Sequence, residues 1–444
     1  METKTVYLVS LGCAKNLVDS EHMLAALLEA GYEYVLDPNT ARIIIVNTCA
    51  FTKPAQRESV ETILELAEHK KNGACEYLIV TGCLVQRYAH DITTEMPEVD
   101  AVLGTGVLKH LPTILAQLND GGTPVVCLSK PGGLLEGKRV LLTSSGTAYI
   151  KLAEGCCHHC SFCIIPQLRG PLASRSESMI LREGQELADQ GVGELILIAQ
   201  DSASYGLDLY GEQRLPYLLK KLVQIDNLNW IRLLYLHPEH IPDSLLTVIA
   251  EENKICPYFD LPFQHVSHSI LKSMGRKGNK ETYAKLLNRI RELMPDAAIR
   301  TTFMVGFPGE TEDDFCQLLS FMQEHKLDWV GGFAFSPQYN TPAACLPGQV
   351  PDQVKQERLR ELLRHQQSIS RERNQAWLGK KLTVLIEQAN DQGGIGRCFR
   401  QAPDVDGVTY VNGKNLVPGQ FRSVFIDQAT IYDLKGRIAC ELAQ

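Results

Sequence analysis

The stretch Glu154-Gly155-Cys156-Cys157-His158-His159-Cys160-Ser161-Phe162-Cys163-Ile164-Ile165-Pro166-Gln167-Leu168-Arg169-Gly170 organises the reading of the whole chain. Cys156, Cys160 and Cys163 stand in a C-x3-C-x2-C spacing, short enough to turn three thiolates toward one point. Iron–sulfur clusters take cysteine thiolates, and three ligands on a four-iron cubane leave one iron open for chemistry. Zinc is the alternative. A structural zinc site closes with four N or S ligands, which would then include Cys157, His158, His159 or a residue farther away.

With Phe162 just before the last cysteine and Ile164-Ile165-Pro166 after it, the run resembles the radical S-adenosylmethionine (SAM) superfamily. The resemblance implies that SAM chelates the open iron through its amino and carboxylate groups. It also implies that an electron from the reduced cluster splits the sulfonium to give a 5'-deoxyadenosyl radical. The cofactor carries the hard step and the protein positions it. By the same resemblance Phe162 lies over the cluster beside the adenine. Cys157 departs from the family, where Asp or Asn is more usual, and is read as a bystander.

Around this stretch the composition is that of an ordinary globular chain. At 444 residues it holds about two to four domains. Hydrophobic residues make up 44% and charged residues 22%, enough for sizeable cores. The first residues, Met1-Glu2-Thr3-Lys4-Thr5-Val6, lack a basic segment followed by a long apolar one, so no secretory signal is expected. No apolar run approaches the ~20 residues of a membrane helix. Without export the 14 cysteines are expected to stay reduced, in the cytoplasm and free to bind metal. A net charge of -8 argues against a protein whose main business is gripping phosphate backbones.

N-terminal to the stretch, over residues 3–125, an apolar strand, a turn and an amphipathic helix recur, which predicts an open parallel sheet. Three strands end alike: Val6–Gly12 leads into Cys13, Ile43–Thr48 into Cys49 and Leu78–Gly82 into Cys83. Helices are expected over Leu17–Ala30 and Ala55–Lys71, with Pro54 near the first turn. The carboxyl ends of parallel strands share one edge of the sheet, where ligands bind, so the three cysteines should converge there. Taken singly each is readable as a buried apolar residue, as Cys75 and Cys127 are. Together they imply a second cluster with an open iron. Ser10-Leu11-Gly12-Cys13-Ala14-Lys15-Asn16-Leu17-Val18-Asp19-Ser20-Glu21 resembles the opening of the methylthiotransferases, radical SAM enzymes with such an extra cluster. That resemblance implies two 4Fe-4S clusters and SAM as cofactors, with the second cluster holding the sulfur to be transferred. The product carries C–SCH3 in place of C–H.

Over residues 142–375, strands expected at Ala148–Leu152, Glu194–Ala199, Ile231–Leu236, Tyr258–Leu261, Ala298–Val305 and Trp329–Phe335 alternate with helices. Six such units predict a partial (β/α)6 barrel with its site at the strands' carboxyl ends. Gln200 and Asp201 follow the second strand; the radical SAM resemblance implies that this strand end contacts the amino group of SAM, which an amide or carboxylate acceptor suits. A turn with polar caps is the alternative. Leu261-Pro262-Phe263-Gln264-His265 resembles the family's Pro-x-Gln-His run, which makes His265 either a cofactor or substrate contact or a hydrogen-bonded structural residue. Gly306 and Gly309, in Val305-Gly306-Phe307-Pro308-Gly309-Glu310-Thr311, precede a helix whose N-terminus favours an anion, or simply stop a strand. Arg175 fits an Arg-Ser-Arg pattern of the family only in part and joins the SAM contacts. Cys256, Cys316 and Cys345 have no metal-like spacing. Asp352 to Trp377, dense in mixed charge, reads as a solvated linker helix.

Residues 378–443 change character. Short strands expected at Leu382–Glu387, Val408–Val411, Ser423–Ile426 and Ile438–Leu442 predict a small antiparallel β-barrel, by resemblance the TRAM domain of methylthiotransferases. Lys and Arg barely outnumber Asp and Glu from Lys380 onward, which is weak support for nucleic acid binding and favours a protein substrate. Two branches of the family compete. One methylthiolates an adenosine of transfer RNA; the other modifies the β-carbon of an aspartate in small-subunit ribosomal protein twelve. The opening Gly12–Ser20, Glu154-Gly155-Cys156, Gln200-Asp201 and Gln401-Ala402-Pro403-Asp404-Val405-Asp406-Gly407 resemble the ribosomal-protein branch. A flavodoxin- or ferredoxin-type electron donor is then expected. The reading from another class is a metal-holding scaffold that binds the ribosome without turnover.

Overall fold

The computed structural model describes residues 4–118 and 124–439. The chain divides into two compact units, one of Met1–Leu142, Lys151–His159 and Cys163–Arg175, the other of Thr143–Ile150, Cys160–Phe162 and Ser176–Gln444. Among the described residues no helix is long and apolar enough to cross a membrane.

In the first unit six strands, β1 (Thr5–Ser10), β2 (Glu33–Tyr34), β3 (Ile43–Thr48), β4 (Tyr77–Gly82), β5 (Ala101–Leu103) and β6 (Val125–Cys127), form one sheet in the order β2-β1-β3-β4-β5-β6. Every pair in it is parallel. β3 is buried at all its positions, as a central parallel strand covered on both faces must be. Side chains alternate between the faces. Ile44, Val46, Leu78 and Val80 enter one core, and Val6, Leu8, Ile43, Ile45 and Ile79 the other. The first of these cores also takes Ile164 and Leu168, so the helix Ile165–Arg169 that follows the cysteine loop is docked on this unit by its apolar residues.

The chain steps from β1 to β2 on one side and then returns to β3 on the other. β1 and β3 therefore flank the topological switch point, where open sheets of this order bind ligands. The helix expected at Leu17 starts earlier, at Ala14–Glu29, because Cys13 in an extended conformation serves as its cap. The polar Lys15 and Asn16 hid that start. The second expected helix is split into Lys53–Ala67, capped by Thr52 with Pro54 in its first turn, and a short turn His69–Asn72.

In the second unit the six expected strands are present within a residue or a few of their expected bounds. Thr147–Lys151, Glu194–Ile198 and Trp230–Leu233 make one three-stranded sheet, and Tyr258–Gln264, Ala298–Val305 and Trp329–Ala334 another. A parallel bridge from Ile231 to Ile255 and the Leu236 N–H to Asp260 C=O bond at 2.9 Å stitch the two into a partial barrel. Five further strands, Lys381–Asn390, Gly393–Cys398, Thr409–Asn412, Phe421–Ala429 and Leu434–Ile438, form a closed barrel. Its pairs are antiparallel except Thr409–Asn412 with Leu434–Ile438, which is parallel. Gly393–Cys398 was not legible as a strand because glycine dominates it. A Cβ at Gly396 would lie 2.1 Å from the Leu385 carbonyl, so close strand packing demands the residue that erases the strand signal. The strand expected over Ile438–Leu442 falls mostly outside the described residues.

The helix Asp352–Gln375 is not a solvated linker. Lys355, Arg358, Leu362, Gln366, Ile369, Ser370 and Asn374 are buried along it. Gln366 Nε2 donates to the Leu327 carbonyl at 2.8 Å and Arg358 Nη1 to Glu310 Oε1 at 2.8 Å, so its polar residues are paired inside the unit. One face of this mixed-charge helix is buried, with Lys355 and Arg358 among its residues, while most of its other charges are exposed.

Candidate functional site

Three adjacent strands, β1, β3 and β4, end in Cys13, Cys49 and Cys83. Their loops are laced together by short polar bonds. Asn16 Nδ2 donates to the Leu11 and Thr48 carbonyls, both at 2.9 Å, tying the loop after β1 to the end of β3. Thr48 Oγ1 donates to the Thr81 carbonyl at 2.5 Å, tying β3 to β4. Ser59 Oγ accepts the Cys49 N–H at 3.1 Å and donates to the Cys49 carbonyl at 3.0 Å. Gly12, at φ +91°, has to be glycine: a Cβ there would stand 2.6 Å from Cys49 Cβ and 2.9 Å from its Sγ.

The electrostatics show the three thiols feeling one another. Burial, against a backbone bond from Phe51 but helped by Cys13 and Cys83, pushes Cys49 up to about 11. Burial likewise raises Cys83 despite Arg169. At Cys13 burial opposes the thiolate most, yet Lys15 and Arg169 hold the group below its ordinary value. Converging thiolates in a desolvated pocket need positive charge, and a cationic iron–sulfur core supplies it where lone thiols would stay protonated. All three are free cysteines. The donor set fits a cluster held by three thiolates.

The neighbouring charges were not singled out from the sequence. Arg169 is buried and donates from Nε to Cys83 Sγ at 3.3 Å, and from Nη1 to Asp19 Oδ2 at 2.7 Å and Glu154 Oε2 at 3.3 Å. Its Nη2 bonds Asn16 Oδ1. Lys151 Nζ donates to Asp19 Oδ1 at 2.5 Å and Glu154 Oε2 at 2.7 Å. The sequence carried no signal for them, because it is the structure that shows Lys15, Asn16, Asp19, Ser20, Glu21 and His22 to be buried along the helix Ala14–Glu29. A helix that buries so many polar groups has partners for them.

Of the contiguous trio, Cys156 and Cys163 belong to the first unit and Cys160, with Phe162, to the second. The Cys156 N–H bonds the Gly170 carbonyl at 3.1 Å, and the His158 N–H points at Cys156 Sγ at 3.4 Å. Gly155 is at φ +72°, and a Cβ there would fall 2.0 Å from the Pro171 carbonyl, so the loop's entrance also depends on glycine. Cys160 is raised by burial. Ser161 next to it bonds the Met274 carbonyl through its N–H at 2.9 Å and accepts the Ala343 N–H at 2.9 Å. Phe162 is half-buried and Cys157 exposed.

Gln200 and Asp201 follow the strand Glu194–Ile198 as expected, but Asp201 is committed to the protein. Its carboxylate accepts the Ala203 N–H at 3.0 Å, the Ser204 hydroxyl at 2.5 Å and the His237 N–H at 3.1 Å, and meets His240 Nδ1 at 3.0 Å. His265 is fully buried. Its Nδ1 accepts the Ser267 N–H at 3.0 Å, its Nε2 lies 3.8 Å from Glu310 Oε2, and burial lowers it to about 4, so it is neutral imidazole near pH 7. One ring nitrogen is thus bonded within the chain, while Nε2 has no hydrogen-bond partner among the described residues, so both roles that the sequence left open stand.

The turn at Gly306 and Gly309 corrects a second expectation. The Gly306 and Phe307 N–H groups donate to Glu310 Oε2 at 2.7 and 3.2 Å, and the Gly309 N–H donates to the Gly348 carbonyl at 2.9 Å. The following helix, Glu312–His325, is closed by a capping box of Thr311 and Asp314 with three acidic residues in its first turn. Thr311 and Asp314 bond each other's N–H groups at that N-terminus, and the three acidic residues of its first turn disfavour an anion beside it. Arg175, buried in the first unit, donates from Nη1 to the Lys151 carbonyl at 3.0 Å.

A parallel-sheet unit ending in three cysteines, a partial barrel and the C-x3-C-x2-C loop define a radical SAM enzyme. The model of the radical SAM superfamily matches residues 150–322, that of the TRAM domain residues 378–439, and that of uncharacterized protein family UPF0004 residues 5–104. A solved radical SAM methyltransferase, TsrM from Kitasatospora setae with cobalamin and a [4Fe-4S] cluster bound, shares the fold with a TM-score of 0.57, over 77% of each chain and at 16% identity. Ribosomal protein uS12 methylthiotransferase RimO of Clostridioides difficile (strain 630) is 46% identical over 99% of this chain and 99% of its own length. The protein of that name from Pelotomaculum thermopropionicum is 46% identical over 97% and 98%. The chain belongs to the RimO family of methylthiotransferases. It is an enzyme that transfers a sulfur-containing group and uses SAM and 4Fe-4S clusters.

Proposed function

We propose that the protein methylthiolates the β-carbon of an aspartate in ribosomal protein uS12. Cys156, Cys160 and Cys163 would hold the cluster that binds SAM, and Cys13, Cys49 and Cys83 the second cluster. The observation that carries the reading is the convergence of three cysteines at the ends of β1, β3 and β4, in a chain whose relatives at 46% identity are named for uS12. With these groups bound, the chemistry supplied is radical removal of a hydrogen, sulfur insertion and methylation by a second SAM.

The chain's own residues give the reaction its frame. Asn16, Thr48 and Ser59 fix the three cysteine-bearing loops. Asp201 fixes the turn Ser202–Ser204, leaving Gln200 as the candidate acceptor for the SAM ammonium. Glu310 holds the turn of Gly306 and Gly309 by accepting the Gly306 and Phe307 N–H groups. Phe162 would stand beside the SAM-binding cluster, and Arg175 holds the backbone at Lys151. Residues 3–125, 142–375 and 378–443 would act as sulfur-holding, radical-forming and substrate-holding parts. The setting is the cytoplasm, with a flavodoxin- or ferredoxin-type donor. The test is mass spectrometry of uS12 and of transfer RNA from cells lacking the gene. Loss of a methylthio group from uS12 alone is expected; loss from transfer RNA alone reassigns the substrate.

A further inference from the structure

Cys13 and Cys49 follow β1 and β3 while Cys83 opens the helix Cys83–Glu95 directly after β4, and a single guanidinium ties these three strand ends, one of them directly, to the segment that follows Cys163. Arg169 is the last residue of the helix Ile165–Arg169, and each of its three nitrogens is engaged. Nε meets Cys83 Sγ, Nη1 the carboxylates of Asp19 and Glu154, and Nη2 the Asn16 side chain. Asn16 holds the carbonyls of Leu11 and Thr48, so Arg169 touches Cys83 itself directly and the backbone beside Cys13 and Cys49 through one residue. On its other side Gly170 accepts the Cys156 N–H, and Leu168 is in the sheet's core. Lys151 completes the frame by bridging the same two carboxylates. A planar fork with five donors in fixed geometry can satisfy a thiolate, two carboxylates and an amide at once; an ammonium on a flexible stem cannot hold the same set.

We propose that Arg169 is the positioning residue of the Cys13/Cys49/Cys83 centre. It holds Cys83 Sγ by an N–H···S bond and locks that centre to the loop of Cys156 and Cys163 through Asp19, Glu154 and Asn16. The proposal rests on the reading that these cysteines hold an iron–sulfur cluster. Hydrogen bonds and positive charge at the ligand sulfurs favour the more negative, reduced form, so Arg169 raises the potential of that cluster.

The test uses full-length protein carrying Cys156→Ala, Cys160→Ala and Cys163→Ala as parent, which leaves only the second trio to bind iron. It is reconstituted anaerobically with iron and sulfide. Iron content, the midpoint from a redox titration followed by electron paramagnetic resonance, and the unfolding temperature of the metal-free form are measured for the parent, Arg169→Lys and Arg169→Gln. Arg169→Lys keeps the charge between Asp19 and Glu154 but gives up the fork. It is expected to keep the parent's unfolding temperature and show a lower midpoint, and Arg169→Gln a midpoint lower still. Loss of iron from Arg169→Lys at an unchanged unfolding temperature also supports positioning. A parent-like midpoint and spectrum in Arg169→Lys overturns the role of Arg169 alone, and so does iron loss accompanied by a collapsed unfolding temperature, which marks a merely structural residue. A parent that binds no iron sinks the cluster assignment itself, and the role of Arg169 with it.

Discussion

The two cysteine trios are built by opposite means. Cys156, Cys160 and Cys163 lie within eight residues of one another, a spacing short enough for one loop to turn them toward a single point. Cys13, Cys49 and Cys83 are gathered only because β1, β3 and β4 are neighbours in a parallel sheet and because Asn16 and Thr48 tie their loops. The first trio is a property of local sequence, the second a property of topology. Damage to single residues should therefore separate the two functions. Cys83→Ala is expected to abolish methylthiolation of uS12 while 5'-deoxyadenosine still forms from SAM and a strong reductant. Cys160→Ala should abolish both. Chromatography of the nucleoside and mass spectrometry of uS12 read the two outcomes, and intact methylthio product from Cys83→Ala would end the assignment of Cys83.

Gly12 and Gly155 make the same contrast one step farther from the sulfurs. Each has a positive φ and no room for a Cβ, at a cost of about 1–3 kcal/mol for a residue forced into that region. Yet the atoms they would strike differ. At Gly12 these are Cys49 Cβ and Sγ; at Gly155 they are the Gly170 and Pro171 carbonyls. Gly12→Ala is expected to lower iron by the share of the second cluster and leave SAM cleavage. Gly155→Ala should lower SAM cleavage, since the Gly170 carbonyl also receives the Cys156 N–H. Equal iron loss from both clusters in either variant would mean that the trios are not independently built.

How much could be read beforehand follows the same division. The contiguous trio and the six barrel strands were legible because spacing and apolar runs are local signals. The dispersed trio was legible at one remove, through three strands that finish alike. Arg169, Lys151, Asp19 and Glu154 were not singled out, although all four lie in or beside stretches that drew attention for other reasons. A charge's burial depends on a partner up to 150 positions away, as for Arg169 with Asp19, and periodicity carries no such information. The helix Asp352–Gln375 misled for the same reason. The glycine-rich strand Gly393–Cys398 was missed because close packing selected against the side chains that announce a strand.

A buried ion cluster with no cysteine trio among its partners calibrates the effect of charge alone. In the second unit Glu194 is held by Arg397 at 2.6 Å and Arg232 at 2.8 Å, and Arg397 also reaches Glu387 at 2.7 Å, joining the small barrel to the strand Glu194–Ile198. Arg397→Ala leaves Glu194 with Arg232 as its remaining cation and takes the partner from Glu387, so it is expected to destabilise the fold by less than the cost of a wholly unpaired buried charge, about 3–5 kcal/mol, with iron content unchanged. Burial alone would raise Glu194, but Arg397 and Arg232 overcome it and hold the group down at about 2. A depressed carboxyl stabilises the fold above its unfolded value near 4.5 and loses that contribution as pH falls toward 2. Denaturant midpoints of the metal-free protein between pH 5 and 2.5 should fall less steeply in Glu194→Gln than in the unsubstituted chain. Parallel slopes would remove Glu194 from the account.

The smallest effect is expected inside the contiguous trio itself. Cys157 stands between two assigned ligands, and on proximity alone it is as eligible to hold iron as Cys156. Its side chain is exposed, however, whereas Cys156, Cys160 and Cys163 are half-buried, and a ligand thiolate needs a partly sheltered position that limits oxidation and exchange. Spacing adds a second reason. Replacing Cys156 by Cys157 would give C-x2-C-x2-C and would leave the Gly155 turn and the Cys156-to-Gly170 bond with nothing to position. Cys157→Ser should therefore keep the iron content, the cluster spectrum and 5'-deoxyadenosine formation of the unsubstituted enzyme. Loss of a cluster in this variant, with Cys156→Ser retaining it, would move the first ligand by one residue and break the match with the C-x3-C-x2-C pattern.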